Sequence, residues 1–343
     1  MRSDAIGLPA AELERYLSAH VAGFTGLKQI EKFSGGQSNP TFRLEADSGT
    51  YVLRRQPPGK LLKSAHAVDR EFRVMRALAG TAVPVPEALH LCEDPEVLGA
   101  LFFVMRYCPG PIHWKAALPG LEPAQRAHCY DEMNRVLAEL HALDPATLGL
   151  ADYGKPGSYF ARQLGRWTSQ YRASEINPIP EMDQLISWLE ERLPDDDGRV
   201  ALVHGDYRLD NFIWDADSHR IVAVLDWELS TLGHPFADLA YQCMQLRLPD
   251  LGGSIVGLQG LDRQALGIPD EARYVERYCE RRGLDGMDDW PFYLGFSFFR
   301  LGAIAQGVAK RAQQGNASSA EASKVGAMVQ PLAQLALASI HAA

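Results

Sequence analysis

The spacing of apolar positions divides the chain into a strand-rich first part and a helix-rich remainder. Leu13, Leu17 and Val21 recur every four residues and predict a helix over 9–21. Short extended runs predict strands at 28–33, 41–46, 50–55, 88–91 and 101–105, the second and third joined by the turn Asp47-Ser48-Gly49. Phe72, Met75 and Leu78 fall at helical spacing and predict a helix over 64–78, and AVPVPEAL (82–89) reads as an extended connector. Residues 1–105 therefore read as a small five-stranded sheet with one inserted helix. After Tyr107-Cys108-Pro109-Gly110 the period changes. Amphipathic helices are predicted at 123–143, 158–173 and 181–192, then short strands at 200–203, 211–214 and 221–225. From about 235 on the pattern is mostly helical, apart from a loop at 249–260 and a Gly/Ala/Ser-rich helix interruption at 313–323. The expectation is an α+β chain: a β-rich lobe (1–105), a hinge (106–110) and a mostly helical lobe (111–343), with the site in the cleft between the lobes.

Composition narrows the function classes. At 343 residues the chain exceeds what one core usually serves, which agrees with two lobes. A formal net charge of -9 argues against a nucleic-acid footprint. The cysteines are Cys92, Cys108, Cys129, Cys243 and Cys279; their odd number and the lack of a Cys-x-x-Cys argue against a disulfide framework or a zinc site. Reduced thiols in a cytoplasmic protein are the expectation. The N-terminus carries charges throughout and lacks a signal-peptide core. The most apolar stretch, 292–308, is short for a membrane span and has Arg300 in its middle, so it predicts a buried core helix and no membrane partner.

The chemistry concentrates in LVHGDYRLDN (202–211). The spacing His-x-Asp-x-x-x-x-Asn matches a kinase catalytic loop. Phosphoryl transfer needs a carboxylate beside the acceptor hydroxyl and oxygen ligands for the metal that neutralises the phosphates. Asp206 suits the first role and Asn211 the second. A further metal carboxylate comes from Asp226, at the end of the apolar run IVAVLD. The turn Asp215-Ala216-Asp217-Ser218 pairs that run with 211–214, which brings Asp226 back beside Asn211. Asp and Asn at strand ends are more often turn formers; the combination with a hairpin and a distal Asp is what favours Mg²⁺ binding and catalysis.

LVHGDYRLDN and VLDWELSTLGHPFADLAY resemble the phosphotransferase family that includes aminoglycoside and choline kinases. The second string is especially similar to the phosphotransferase domain fused to acyl-CoA dehydrogenases in animals and to its stand-alone bacterial relatives. The resemblance spans about 27–301 and is sharpest over 203–241. It implies a protein-kinase-like two-lobe fold and ATP as phosphoryl donor. By that resemblance SGGQSN takes the place of the phosphate-binding Gly-rich loop, with Ser34, Gly35, Gly36 and Ser38 near the phosphates. The phosphate-holding Lys of kinases is replaced by Arg54 in YVLRR. Strand alternation puts Val52 and Arg54 on one face, and Tyr51, Leu53 and Arg55 on the other. Val52 would then lie against adenine, while the choice between Arg54 and Arg55 for the phosphates stays open. Glu71 is the implied ion-pair partner on the inserted helix. Met105 enters the hinge, where the Arg106 carbonyl and the Cys108 amide would bond adenine. Asp238 resembles the acid that braces the catalytic loop through its backbone amides, and His204 is expected to be a packed structural histidine. Trp227-Glu228 stands where protein kinases have Phe-Gly, so no activation-loop switch is implied.

The acceptor is weakly written. Arg162 and Arg166 lie one turn apart on one helix face and would suit an anionic group, with a solvated face the competing reading. With the resemblance, a small-molecule hydroxyl acceptor such as a hydroxy acid or hydroxyacyl-CoA is expected, linking the chain to acyl-CoA metabolism. An aminoglycoside-type antibiotic kinase, a nucleotide-binding pseudokinase module and a protein kinase are the alternatives. The last lacks the Asp-Phe-Gly and Ala-Pro-Glu landmarks.

Overall fold

The computed structural model describes residues 8–33, 39–57, 67–250, 257–313 and 325–341. The first elements in chain order are α1 (Ala10–His20), β1 (Leu27–Lys32), β2 (Thr41–Ala46), β3 (Gly49–Arg55), α2 (Val68–Leu78), β4 (Ala88–Cys92), α3 (Pro95–Leu98) and β5 (Phe102–Arg106). Then come α4 (Pro123–Ala142), α5 (Tyr159–Ser174), α6 (Pro180–Glu191), β6 (Ala201–Val203), β7 (Phe212–Trp214), β8 (Ile221–Val224) and β9 (Thr231–Gly233). The chain ends in α7 (Phe236–Arg247), α8 (Arg263–Leu266), α9 (Glu271–Arg282), α10 (Trp290–Gln313) and α11 (Val329–His341). This is the mixed α+β class that the sequence predicts. Ser34, Gly35, Gly36 and Ser38 lie outside the described residues, as does nearly all of the expected interruption at 313–323.

The chain divides into two compact units, 1–111 with 148–150 and 211–230, and the remainder. The first holds an antiparallel five-stranded sheet in the order β1-β2-β3-β5-β4. One sheet face carries Phe42, Leu44, Tyr51, Leu53, Phe102 and Val104, which pack with Leu13 and Leu17 of α1. Alternation gives the other face to Val52 and Arg54 of β3 and their cross-strand partners Met105 and Phe103. Here α2 packs, with the rings of Phe72 and Phe103 6.1 Å apart. Helix α2 is described from Val68, the predicted start at 64 lying outside the described residues, and α3 is an addition to the expected single helix.

Residues 211–230 group with this sheet unit, not with the helices that precede them in sequence. The β7–β8 hairpin is tied there by bonds from Trp214 N–H to the Pro111 carbonyl (3.0 Å) and from Val224 N–H to the Pro84 carbonyl (2.9 Å). Gly110 allows the close approach, since a Cβ there would lie 2.1 Å from the Trp214 carbonyl oxygen.

The second unit is mostly helical. β6 pairs antiparallel with β9, Leu202 opposite Leu232. α10 is long and apolar enough to cross a membrane by composition, but most of it is buried against α5, α6, α7 and α11, as a core helix is. Arg300 at its middle is only 7% exposed.

Candidate active site

In the helical unit β6 ends at Val203 and delivers His204, Gly205 and Asp206. Gly205 has φ +83, a conformation that glycine adopts without penalty. The loop is held from beneath by Asp238, on the first turn of α7 and 1% exposed. Its carboxylate accepts the His204 N–H at 2.6 Å and the Gly205 N–H at 2.8 Å. The Nε2 of buried His141 lies 3.3 Å from the same carboxylate, and its Nδ1 lies 2.7 Å from the Tyr278 hydroxyl. Burial pushes Asp238 up, but the hydrogen bond and charge of His141, the His204 ring and the Gly205 N–H outweigh it and hold the carboxyl below its ordinary range. Burial lowers the His141 imidazole in spite of Asp238. A neutral His141 with its proton on Nε2 serves both partners. His204 is fully buried, and its Nδ1 accepts the Asp206 N–H at 3.2 Å. That is a packing and positioning role.

Asp206 stands at the surface of this arrangement with 23% of its side chain exposed, 4.0 Å from Arg208. Arg208 pairs with Asp210, its Nε donating at 2.8 Å. Burial opposes the charge of Arg208, while Asp206, Tyr241 and Asp210 raise it. Trp114, Ala116, Arg208, Asp210, Tyr241 and Met244 are among the residues lining a small pocket in the same unit. Trp114 is 67% exposed. Arg162 donates to the Lys155 carbonyl at 2.5 Å and Arg172 pairs with Asp183, so both are engaged; Arg166 is exposed beside Trp167.

In the sheet unit the charged groups gather around Arg54. Its Nε lies 2.9 Å from Glu71 of α2, its Nη2 2.6 Å from Asp226 and 3.9 Å from Glu228. Asn39 donates to Glu71 at 3.1 Å and to Glu228 at 3.3 Å. Arg55 instead donates to the Leu98 carbonyl, so of the two arginines only Arg54 meets Glu71 and Asp226. Asp226 adopts the left-handed conformation (φ 63°, ψ 60°), a strained state for a side-chain-bearing residue. The Leu225 N–H bonds the Asn211 carbonyl at 2.8 Å, which brings the Asp226 turn alongside Asn211. Glu71, Asp226 and Glu228 offer carboxylate oxygens within 4.8 Å of one another. Asp226 and Glu228 thus add oxygen donors beside Glu71 and one guanidinium, and hard oxygen donors suit a hard divalent cation. In the β5 exit, Met105 is buried, Arg106 lies over the Tyr51 ring, and burial raises the half-buried Cys108 thiol.

Burial, backed by Asp226 and Glu228 and opposed by Arg54, pushes the Glu71 carboxyl up to about 8. The unfolded chain releases this proton near the ordinary carboxylate value of 4.5, the folded protein only near 8. The stabilisation is therefore complete below the lower value and lost as pH rises through the upper one. Relative to Glu71→Gln, the unliganded wild type should lose thermal stability between about pH 4.5 and 8. Melting curves of both proteins across that range check this; a constant difference would contradict it.

The sequence reading missed Asn39, Glu228, His141, Tyr241 and Arg300. Each meets its partner across a large sequence separation, and no local spacing marks Asn39, His141 or Tyr241. Arg300, a cation inside an apolar helix, and Glu228, two residues after Asp226, did leave a signal.

The phosphotransferase enzyme family model matches residues 29–295. Mouse acyl-CoA dehydrogenase family member 10 is 46% identical over 332 residues, covering 96% of this chain and 31% of that protein. Human acyl-CoA dehydrogenase family member 11 is 42% identical over 330 residues, covering 95% of this chain and 42% of that protein. The chain thus spans 31–42% of the length of these curated relatives. A solved Ralstonia eutropha protein described as an aminoglycoside phosphotransferase is 47% identical with a TM-score of 0.89, over 97% of this chain and 98% of that one. An aminoglycoside phosphotransferase solved with ADP and hygromycin B has a TM-score of 0.64 at 17% identity, over 96% and 98%. That likeness shows the shared kinase-like fold.

Proposed function

The chain belongs to the phosphotransferase enzyme family, and from that premise we propose that it transfers the γ-phosphoryl group of ATP to a hydroxyl of a small molecule, a hydroxy acid or hydroxyacyl-CoA. The observation that carries the reading is Asp206: a part-exposed carboxylate on a loop whose preceding amides are fixed by buried Asp238. Asp206 orients the acceptor hydroxyl and takes its proton as the oxygen bonds to the γ-phosphorus. The bond from that phosphorus to the bridging oxygen breaks, and ADP leaves. Arg54 holds the phosphates as a planar, permanently charged fork, aligned by Glu71. Val52, Met105, Arg106 and Cys108 provide the adenine side. Asn211 and Asp226 would hold Mg²⁺, with Glu228 a further carboxylate near Asp226. Bound there, the ion would neutralise phosphate charge.

The small pocket beside Arg208 lies in the same unit as Asp206. Its guanidinium is paired with Asp210, which lines the same pocket, so the lining sets no preference between an anionic and a cationic acceptor. Names of the relatives that refer to acyl-CoA dehydrogenases support a hydroxy acid or hydroxyacyl-CoA. The name of the Ralstonia protein favours an aminoglycoside instead. Steady-state assays with hydroxy acids, hydroxyacyl-CoAs and aminoglycosides separate the two readings; turnover of aminoglycosides only, at ordinary efficiency, defeats the first.

Asp226→Ala should abolish stimulation of ATP consumption by Mg²⁺, measured as ADP release against metal concentration. A wild-type metal response in that variant would remove Asp226 from the metal site.

A further inference from the structure

Arg300 is a cation buried in the middle of an apolar helix, and among the described residues it forms no ion pair. Burying a guanidinium is costly unless its donors and charge are satisfied. Its Nη2 donates to the Gly205 carbonyl at 2.5 Å. Its guanidinium faces the Trp167 ring at 5.7 Å and the Tyr241 ring at 5.3 Å. These contacts meet the loop at one peptide unit, that between Gly205 and Asp206. The carbonyl of this unit is held by Arg300, its N–H by His204 Nδ1. A peptide plane fixed at both edges cannot rotate, and its rotation is what would swing the Asp206 side chain. Burial and, next, the charge of Asp206 raise the Tyr241 phenol, so the ring on which Arg300 lies is also close to that carboxylate. Arg300 therefore reaches Asp206 by two routes, one through the backbone and one through an aromatic ring.

We propose that Arg300 is a positioning residue for Asp206, fixing the 205–206 peptide and the Tyr241 ring so that the carboxylate meets the acceptor hydroxyl. This rests on the reading of Asp206 given above. Arg is suited to the place because a planar guanidinium donates and stacks at once, whereas a Lys ammonium does one or the other. Misplacing a catalytic group by about 1 Å can cost about 10²-fold in rate.

The test is a double-substitution cycle with Arg300→Met and Asp206→Ala, the active fraction being counted by titration with a non-hydrolysable ATP analogue. Arg300→Met alone should lower kcat by about 10–10²-fold with the KM for ATP within about twofold of wild type. On the Asp206→Ala background it should cost less than about twofold, because the residue it positions is gone. Arg300→Lys, the variant that keeps the charge, should recover part of the loss and covers the case in which Arg300→Met fails to fold. An undiminished kcat in both variants, or an equal loss with and without Asp206, overturns the proposal. If Asp206→Ala itself turns over normally, the reading of Asp206 fails instead, and the two outcomes are distinct.

Discussion

Replacing Asp206 by Ala is expected to lower kcat by about 10²–10⁴, the usual size of general-base assistance, while ATP still binds. Affinity should survive because Arg54 and Glu71, the groups proposed for the nucleotide side, belong to the sheet unit, whereas Asp206 is carried by the helical one. The protein should also stay folded, since the carboxylate is part-exposed and its main-chain N–H, not its side chain, bonds His204. Turnover of ATP against acceptor concentration, with nucleotide affinity measured by calorimetry, checks both halves. Normal turnover would take the base role from this residue.

Asp238→Ala is the substitution expected to cost most stability, about 3–5 kcal/mol, in line with breaking a buried charge network. It leaves the His204 and Gly205 amides and His141 Nε2 without their shared acceptor. Each buried donor so stranded costs about 1–3 kcal/mol. Against a typical total of about 5–15 kcal/mol this is a large share. Asp238→Asn, which keeps one carbonyl oxygen, should lose less. Urea unfolding should show a lower midpoint at unchanged slope. A loss under about 1 kcal/mol for Asp238→Ala would mean that the loop does not depend on this carboxylate.

Much of this was legible in the sequence because it is local. The alternation Tyr51-Val52-Leu53-Arg54 fixes which side of β3 faces which layer, and the structure gives Tyr51 and Leu53 to the α1 side and Arg54 to Glu71. The spacing of Leu13 and Leu17 predicts the buried stripe of α1. The Asp215–Ser218 turn predicts the β7–β8 hairpin, and the register from Phe212–Val224 to Trp214–Ile221 agrees. What was hidden is non-local. β9 is three residues long, too short for alternation to register, and exists through its pairing with β6. Residues 211–230 follow the helices in sequence, but their hydrogen bonds run to Pro84 and Pro111. Asn39 meets Glu228, 189 residues away, and Arg300 meets Gly205, 95 residues away. Polar partners at such distances carry no periodicity, so charge and residue type mark candidates without assigning their contacts.

The most direct measurement is phosphorus NMR of the purified protein with ATP, Mg²⁺ and a panel of hydroxy acids, hydroxyacyl-CoAs and aminoglycosides. A new phosphate-ester resonance should grow in step with ADP for an acceptor with a free hydroxyl, require added metal, and vanish with Asp206→Ala. Tight ATP binding with no ester formed from any acceptor, or an ester signal that persists without Asp206, would contradict the account.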